Sequence, residues 1–351
     1  MIHPVLPPQC GSQLPLPFYL AMEEHLARNY PGHDFFFLWQ VDPTVIFGRC
    51  QNPFTEVNLD FCRQEGIATF RRKSGGGCVY ADRSNIMMSH VTTPEAPVTT
   101  VFARYCSMVA DTLRSLGLDA EANGRNDILI SGQKVSGNAF YHLHGRSIVH
   151  GTMLYDADLP RMSAALTPSR AKLHAKGVSS VRSHVTTIHQ HLPALSLEDF
   201  KSTVLHSLCS EELHLTPDDA EAIDRLSRKY YTDEWIWGRF GHIGTAPSPR
   251  RRIDGVGEFS VTVDLHPPEV EDKSDKSQNP EAEGPPPRIR RVNLQGDFFL
   301  LADLDAELLD HLKGVPYTRP AILAALAATH PEAVIPGLTP SLLADLLMQN
   351  A

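Results

Sequence analysis

Between residues 16 and 28 the stretch LPFYLAMEEHLAR sets Phe18, Ala21, Met22 and Leu26 at the three- and four-residue spacing of one helix face. The next stretch, FFFLWQVDPTVIFGR, carries two apolar runs of strand length, split by the turn pair Asp42-Pro43. GIATFRR and GCVYAD read as strands joined through a run of glycines, and NIMMSHVTT as another strand. VFARYCSMVADTLRSLG has the amphipathic period of a helix and a closing signal at Gly117. NDILISGQKVSGNAFYH and SIVHGTMLYD return to strand character. FKSTVLHSLCSEELH and DAEAIDRLSRKYY read as helical. Helices mixed with strands in this way predict one α/β (α+β mixed) domain over residues 1–245.

A compositional change then marks a second unit, residues 246–351. GTAPSPRRR reads as a linker, and EFSVTVDLH alternates like a half-buried strand. Residues 267–287, PPEVEDKSDKSQNPEAEGPPP, hold six acidic residues, six prolines and no aromatic residue. Such a stretch has no apolar surface to bury and is expected to be a disordered insertion. RIRRVNLQGDFFLL resumes strand character, and LDAELLDHLKG, PAILAALAATHP and PSLLADLLMQNA read as helices. The second unit is thus a small α+β domain.

The formal charge of −9 over 351 residues argues against a general nucleic-acid binder, which is usually basic. Six scattered cysteines without a CxxC pair predict reduced thiols, not a zinc ribbon or a disulfide scaffold. The N-terminus lacks the basic start and apolar run of a signal peptide, and no stretch has the length of a membrane span. A cytoplasmic protein is expected, with a monomer as the simplest state.

Against that acidic background, FRRKSGGGCVYAD concentrates Arg71, Arg72 and Lys73 before three glycines. Glycines without Cβ atoms let backbone N–H groups converge on an anion, and an arginine adds a bidentate donor. By itself the run reads better as a tight turn with a solvated basic edge. It matches neither GxxxxGK[ST] nor a GxGxxG strand-to-helix junction. Further along, GRNDILISGQKVSGNAFYHLHGRSIVHGTML brings Asn126-Asp127, Lys134, Gly137-Asn138 and His150-Gly151-Thr152 together. KGVSSVRSHVTTI adds Lys176 and Arg182. His142 with His144, and His189 with His191, have a spacing that a strand would put on one face. Solvated histidines remain the simpler reading of both pairs.

Together these three segments resemble the lipoate–protein ligase A family, whose pattern runs RRxSGGGxVxHD, then NDI…GKKxxGNA…HHGT, then KGxxSVRSRVxN. The resemblance covers about residues 16–190. Ala81-Asp82 stands where the family has HD, Val149-His150 where it has HH, and Gly132-Gln133-Lys134 where it has GKK. The resemblance implies a fold shared with biotin ligases, with mixed sheets flanked by helices. It implies that lipoate and ATP, with Mg²⁺, give lipoyl-AMP, and that an acceptor lysine then takes the acyl group. The implied acceptors are lipoyl domains of 2-oxoacid dehydrogenases and the glycine-cleavage H protein. By the same likeness Lys134 is catalytic. Arg72, Gly77, Cys78, Val79, Tyr80 and Lys134 would hold ATP. Trp39, Arg72, Ser74, Gly75, Gly76, Lys134, Gly137 and His150 would hold lipoate, and Asp127 is a metal candidate.

Two rivals stay open. A transferase could use preformed acyl-AMP or an acylated carrier. One that works through a thioester needs a pocket cysteine, and PRMSAALTPSRAKL offers none. A biotin ligase would carry GRGRRGR where this chain has SGGGCVY.

Overall fold

The computed structural model describes residues 1–11, 13–92, 97–124, 126–143, 145–167, 185–238, 249–266 and 285–348. The chain divides into two compact units, Met1–Ala246 and Pro247–Ala351.

The first unit is built on an eight-stranded mixed sheet. In spatial order its strands are Glu211–His214, Ile2–Val5, Phe35–Trp39, Asn85–Val91, Arg146–Leu154, Gln133–Leu143, Asp127–Ile130 and Ala120–Ala122. Only the first three strands in that order pair parallel; the rest are antiparallel. Asn85–Val91 and Arg146–Leu154 are buried along their whole length, so both faces of the sheet are covered. Helices Leu16–Asn29 and Val98–Ser115 do the covering. Glu23 of the first helix bonds Ser89 and Tyr141. Tyr105 and Phe102 of the second pack on His90 and Phe140. Neighbouring strand residues point to opposite faces, so the two helices lie on opposite sides.

Both helices end for reasons written in the chain. Gly117 has φ +86°; its N–H bonds the Arg114 carbonyl, and the Leu118 N–H bonds the Leu113 carbonyl. That is a Schellman closure. The first helix is closed from outside by buried Arg146. Its guanidinium donates to the carbonyls of Leu26 (3.1 Å), Tyr30 (2.8 Å), Thr92 (2.7 Å) and His33. A cation at a helix C-terminus also suits the dipole.

His90 is buried with no hydrogen-bond partner on either ring nitrogen among the described residues, and its ring stacks on Tyr105. Burial pushes its pKa from 6.5 down to about 4; Asp34 opposes this and Arg104 and Arg146 add to it. The unfolded chain therefore binds the proton first as pH falls, and stability declines between pH 6.5 and 4. Full passage through that window costs on the order of 3 kcal/mol. His90→Phe should flatten this part of the curve. Urea unfolding of both proteins at pH 7 and pH 4.5 checks it, and an unchanged difference between the two pH values would refute it.

A second, three-stranded sheet orders Ala68–Arg71, Thr44–Phe47 and Val79–Ala81, and the glycine loop spans the gap between its outer strands. Two sequence expectations change here. Glu211–His214 is a strand, not a continuation of helix Leu197–Leu208, because it pairs in parallel with Ile2–Val5. Residues 250–252, expected as the end of a linker, likewise belong to a strand, Arg250–Ile253.

In the second unit Arg250–Ile253, Gly257–His266 and Arg288–Phe298 form an antiparallel sheet. Phe259 stacks on Phe298 at 4.8 Å on its apolar face, and helix Pro340–Met348 packs on the middle strand. LDAELLDHLKG breaks into helix Leu304–Glu307 and a 3₁₀ turn Leu309–Leu312. The expected disordered insertion lies outside the described residues except for 285–287. No helix among the described residues is long and apolar enough to cross a membrane.

Candidate active site

The register of the main sheet assembles two rows of side chains on the face covered by Leu16–Asn29. One row runs Phe37, Ser89, His150, Ala139. The other, two residues further along each strand, runs Trp39, Met87, Thr152, Gly137, Asp127. Residues two apart on a strand share a face and sit roughly 7 Å apart.

Lys134 reaches this face through a bulge: Ile128 pairs with Ser136 but Leu129 pairs with Lys134, leaving Val135 extra. A bulge re-aims a side chain. The Lys134 ammonium lies 2.6 Å from Asp127 Oδ1, with the lysine side chain 22% exposed. A Cβ on Gly137 would stand 2.6 Å from Nζ, so the space is open only because residue 137 is glycine. Gly151 serves in the same way, since a Cβ there would meet Asn138 Oδ1 at 1.8 Å. Asn138 in turn bonds the Asn126 carbonyl through its backbone N–H (2.8 Å) and its amide (3.1 Å), fixing the turn before Asp127. Of the third sequence segment, residues 176–184 lie outside the described residues. Its end is described: Val185 bridges to Lys134, and the Thr186 N–H bonds the Lys134 carbonyl at 2.8 Å.

The glycine loop is fastened to the same face. Ser74 Oγ meets His150 Nε2 at 2.6 Å, and His150 Nδ1 donates to Glu23 at 3.0 Å. Ser89 also donates to Glu23 (2.6 Å), and Trp39 Nε1 donates to Ser89 (2.9 Å). With Nδ1 donating, Nε2 is left to accept the Ser74 proton. One network thus joins Trp39, Ser89, Glu23, His150 and Ser74. The helix pattern held no sign of Glu23. A carboxylate inside an apolar run reads as the solvated side until its partners on three other strands are known.

The basic leader of the loop is tied into the protein. Arg72, expected at a phosphate, is buried and donates to Ser74 Oγ (2.9 Å). It also donates to the carbonyls of Ile46 (3.0 Å), Gly75 (2.6 Å) and Gly77 (2.8 Å). Its fork matches the loop's inward carbonyls, which hold the loop in shape. Arg71 Nη1 donates to the carbonyls of Gly48, Arg49 and Gln51. Lys73 pairs with buried Glu24 at 2.8 Å. All three cations thus face the protein.

Gly75 and Gly76 lie against Gly48, and Gly76 has φ +81°. Cys78 Sγ donates to Gln51 Oε1 at 3.2 Å, and the Gly48 N–H donates to the same oxygen at 2.9 Å. Val79 and Tyr80 continue into the strand, with the Tyr80 carbonyl accepting from Asn85 at 3.3 Å. Among the described residues no three His, Cys, Asp or Glu side chains come together as a metal site. His191 bonds the Thr186 hydroxyl and His142 the Ser147 hydroxyl. His144 lies outside the described residues.

Residues 15–209 match the lipoyl protein ligase A/B catalytic domain family. A curated relative, lipoate–protein ligase 1 of Staphylococcus aureus, is 37% identical over 292 residues, covering 81% of this chain and 82% of that protein. Among solved structures, a bipartite lipoate protein ligase of Thermoplasma acidophilum, studied with its E2 lipoyl domain, is 28% identical with a TM-score of 0.59. The match covers 68% of this chain and 97% of that one. A lipoate–protein ligase A bound with ATP is 26% identical with a TM-score of 0.58, covering 68% of this chain and 98% of that one.

Proposed function

The chain belongs to the lipoate–protein ligase family, and from that premise we propose that it activates lipoate with ATP and passes the acyl group to a protein lysine. In the first step a lipoate carboxylate oxygen attacks the α-phosphorus, pyrophosphate leaves, and lipoyl-AMP remains. In the second the neutral ε-amine of the acceptor attacks the acyl carbonyl, AMP leaves, and an amide forms. Neither step needs an enzyme nucleophile. Catalysis is positioning plus stabilisation of charge on oxygen.

The observation that carries this reading is the Lys134 ammonium, held by Asp127 over Gly137 on the face that also anchors the glycine loop. Lys134 neutralises the α-phosphate and carboxylate charge in the first step and the carbonyl oxyanion in the second. Trp39, Ser74, Gly75, Gly76, Gly137 and His150 line the acyl path, with Met87 and Thr152 of the same row added to them. Backbone groups of Gly77, Cys78, Val79 and Tyr80 take the nucleotide. Arg72 acts on both ligands through the shape of the loop. Mg²⁺ would supply charge neutralisation on the triphosphate. Asp127 is the carboxylate suited to touch it, and with no described trio of ligands the fit is to an ion carried by the nucleotide.

Lipoyl domains of 2-oxoacid dehydrogenases and the glycine-cleavage H protein are the proposed acceptors, in the cytoplasm, with the enzyme acting as a monomer. The test is pyrophosphate release from ATP without acceptor, with lipoate, octanoate or biotin supplied in turn. Release with lipoate is expected. Absence of release with every acid from the folded protein would move the assignment to a transferase that takes preformed acyl-AMP or an acylated carrier.

A further inference from the structure

Glu24, next to Glu23 on the first helix, is fully buried and belongs to none of the contacts assigned above to the substrates. Three cations converge on it: Lys73 at 2.8 Å, Lys229 at 2.6 Å and Arg28 at 3.5 Å. The Tyr230 hydroxyl also donates to it. A carboxylate removed from water in this way stays charged only while its partners remain in place. Lys73 immediately precedes Ser74, and Lys229 belongs to the segment running from Arg228 to Trp237. That segment is also fixed to Arg71: Trp235 Nε1 donates to the Arg71 carbonyl (2.8 Å), and Arg71 Nε donates to the Ile236 carbonyl (2.9 Å). The leader of the glycine loop is therefore clamped at residues 71 and 73, between the first helix and this segment.

We propose that the Lys73–Glu24 ion pair is a positioning device for the acyl-activating step, setting the glycine loop so that Ser74 reaches His150. The proposal rests on the ligase reading and extends it to residues that touch neither lipoate nor ATP. Lys73 acts through Ser74 and is a positioning residue. A displacement of about 1 Å in a group that aligns reactants can cost roughly 10²-fold in rate.

The charges around the pair make it sensitive to alkali. Burial pushes Lys73 down to about 8; Glu24 opposes this, and Lys229 adds to it. Burial pushes the Glu24 carboxyl up, but Lys73, Lys229 and Tyr230 together bring it below its ordinary value. Arg28 is the remaining charged group on Glu24. Above pH 8, Lys73 becomes a neutral amine, and the hold on the loop weakens.

The experiment follows pyrophosphate release with lipoate and no acceptor, so that deprotonation of an acceptor lysine does not enter. Wild type, Lys73→Met and Lys73→Arg are compared between pH 6.5 and 9.5, with folding checked by circular dichroism. Lys73→Met should lower kcat about 10-fold or more at pH 7 and lose the decline above pH 8. Lys73→Arg, which cannot lose its proton, should recover most of the rate and also lack the decline. A folded Lys73→Met with wild-type kcat and the wild-type decline overturns the proposal. If Lys73→Met does not fold, a Lys73→Arg profile that still falls above pH 8 overturns it. Wild type without any release at pH 7 is instead a failure of the ligase reading.

Discussion

Lys134→Met should yield a folded protein that releases pyrophosphate from ATP and lipoate at least about 10³-fold more slowly than wild type. Loss of one oxyanion donor costs roughly 10²–10³ in kcat, and here a full charge serves two steps. The change keeps most of the side-chain volume. The ammonium is partly exposed, but its ion partner Asp127 is buried and loses the lysine, so some stability is lost and folding is checked alongside the rate. Transfer from supplied lipoyl-AMP should fall as well, because the same cation faces the oxyanion of the amide-forming step. Stopped or quenched assays of both half-reactions separate the two effects. Adenylation at the wild-type rate would remove Lys134 from the mechanism. Adenylation lost with transfer intact would confine it to the first step.

What the sequence made legible here is local. The long helices and the strands of the main sheet have their own periodicity, and Gly117 closes its helix by a backbone conformation that glycine favours. The resemblance of the three segments to the ligase family singled out Lys134, Asp127 and Ser74, and the folded chain puts Lys134 beside Asp127 and Ser74 beside His150. The missing parts are pairings between distant, individually weak stretches. Ile2–Val5 includes a proline and Glu211–His214 is polar, so neither has a strand pattern of its own; each is a strand because the other lies beside it. The charges misled for a related reason. Arg71, Arg72 and Lys73 look like a basic edge, yet their partners include carbonyls at 46, 48, 49, 51, 75, 77 and 236, the Ser74 hydroxyl and a carboxylate at residue 24. Spacing along the chain carries no information about those distances. Glu23 and Glu24 are the mirror image: they interrupt an apolar helix face, and only the folded chain supplies the donors that let both be buried.

Gly48→Ala should be severely damaging, although it adds only one methyl beside the glycine loop. Gly48 has no unusual backbone angle, so its requirement is space alone. A Cβ at residue 48 would stand 2.2 Å from the Gly76 carbonyl oxygen and 3.2 Å from the Gly75 carbonyl carbon. Both are backbone atoms and cannot rotate away like a side-chain end. The third neighbour, Arg72 Nη2 at 3.3 Å, is itself bonded to the Gly75 and Gly77 carbonyls. The loop must therefore move as a body, and Ser74 with it. Overpacking of this kind costs about 1–3 kcal/mol, and the displaced loop should reduce pyrophosphate release about 10²-fold. Gly66→Ala is the control. Gly66 has φ +63°, and a Cβ there would have nothing within 4 Å, so the variant should lose about 1 kcal/mol from backbone strain and keep its activity. If Gly48→Ala matches Gly66→Ala in rate, the close packing of the glycines on Gly48 does not set the geometry of catalysis. If only Gly48→Ala loses rate, the loop's position, not its charge, is what the three glycines provide.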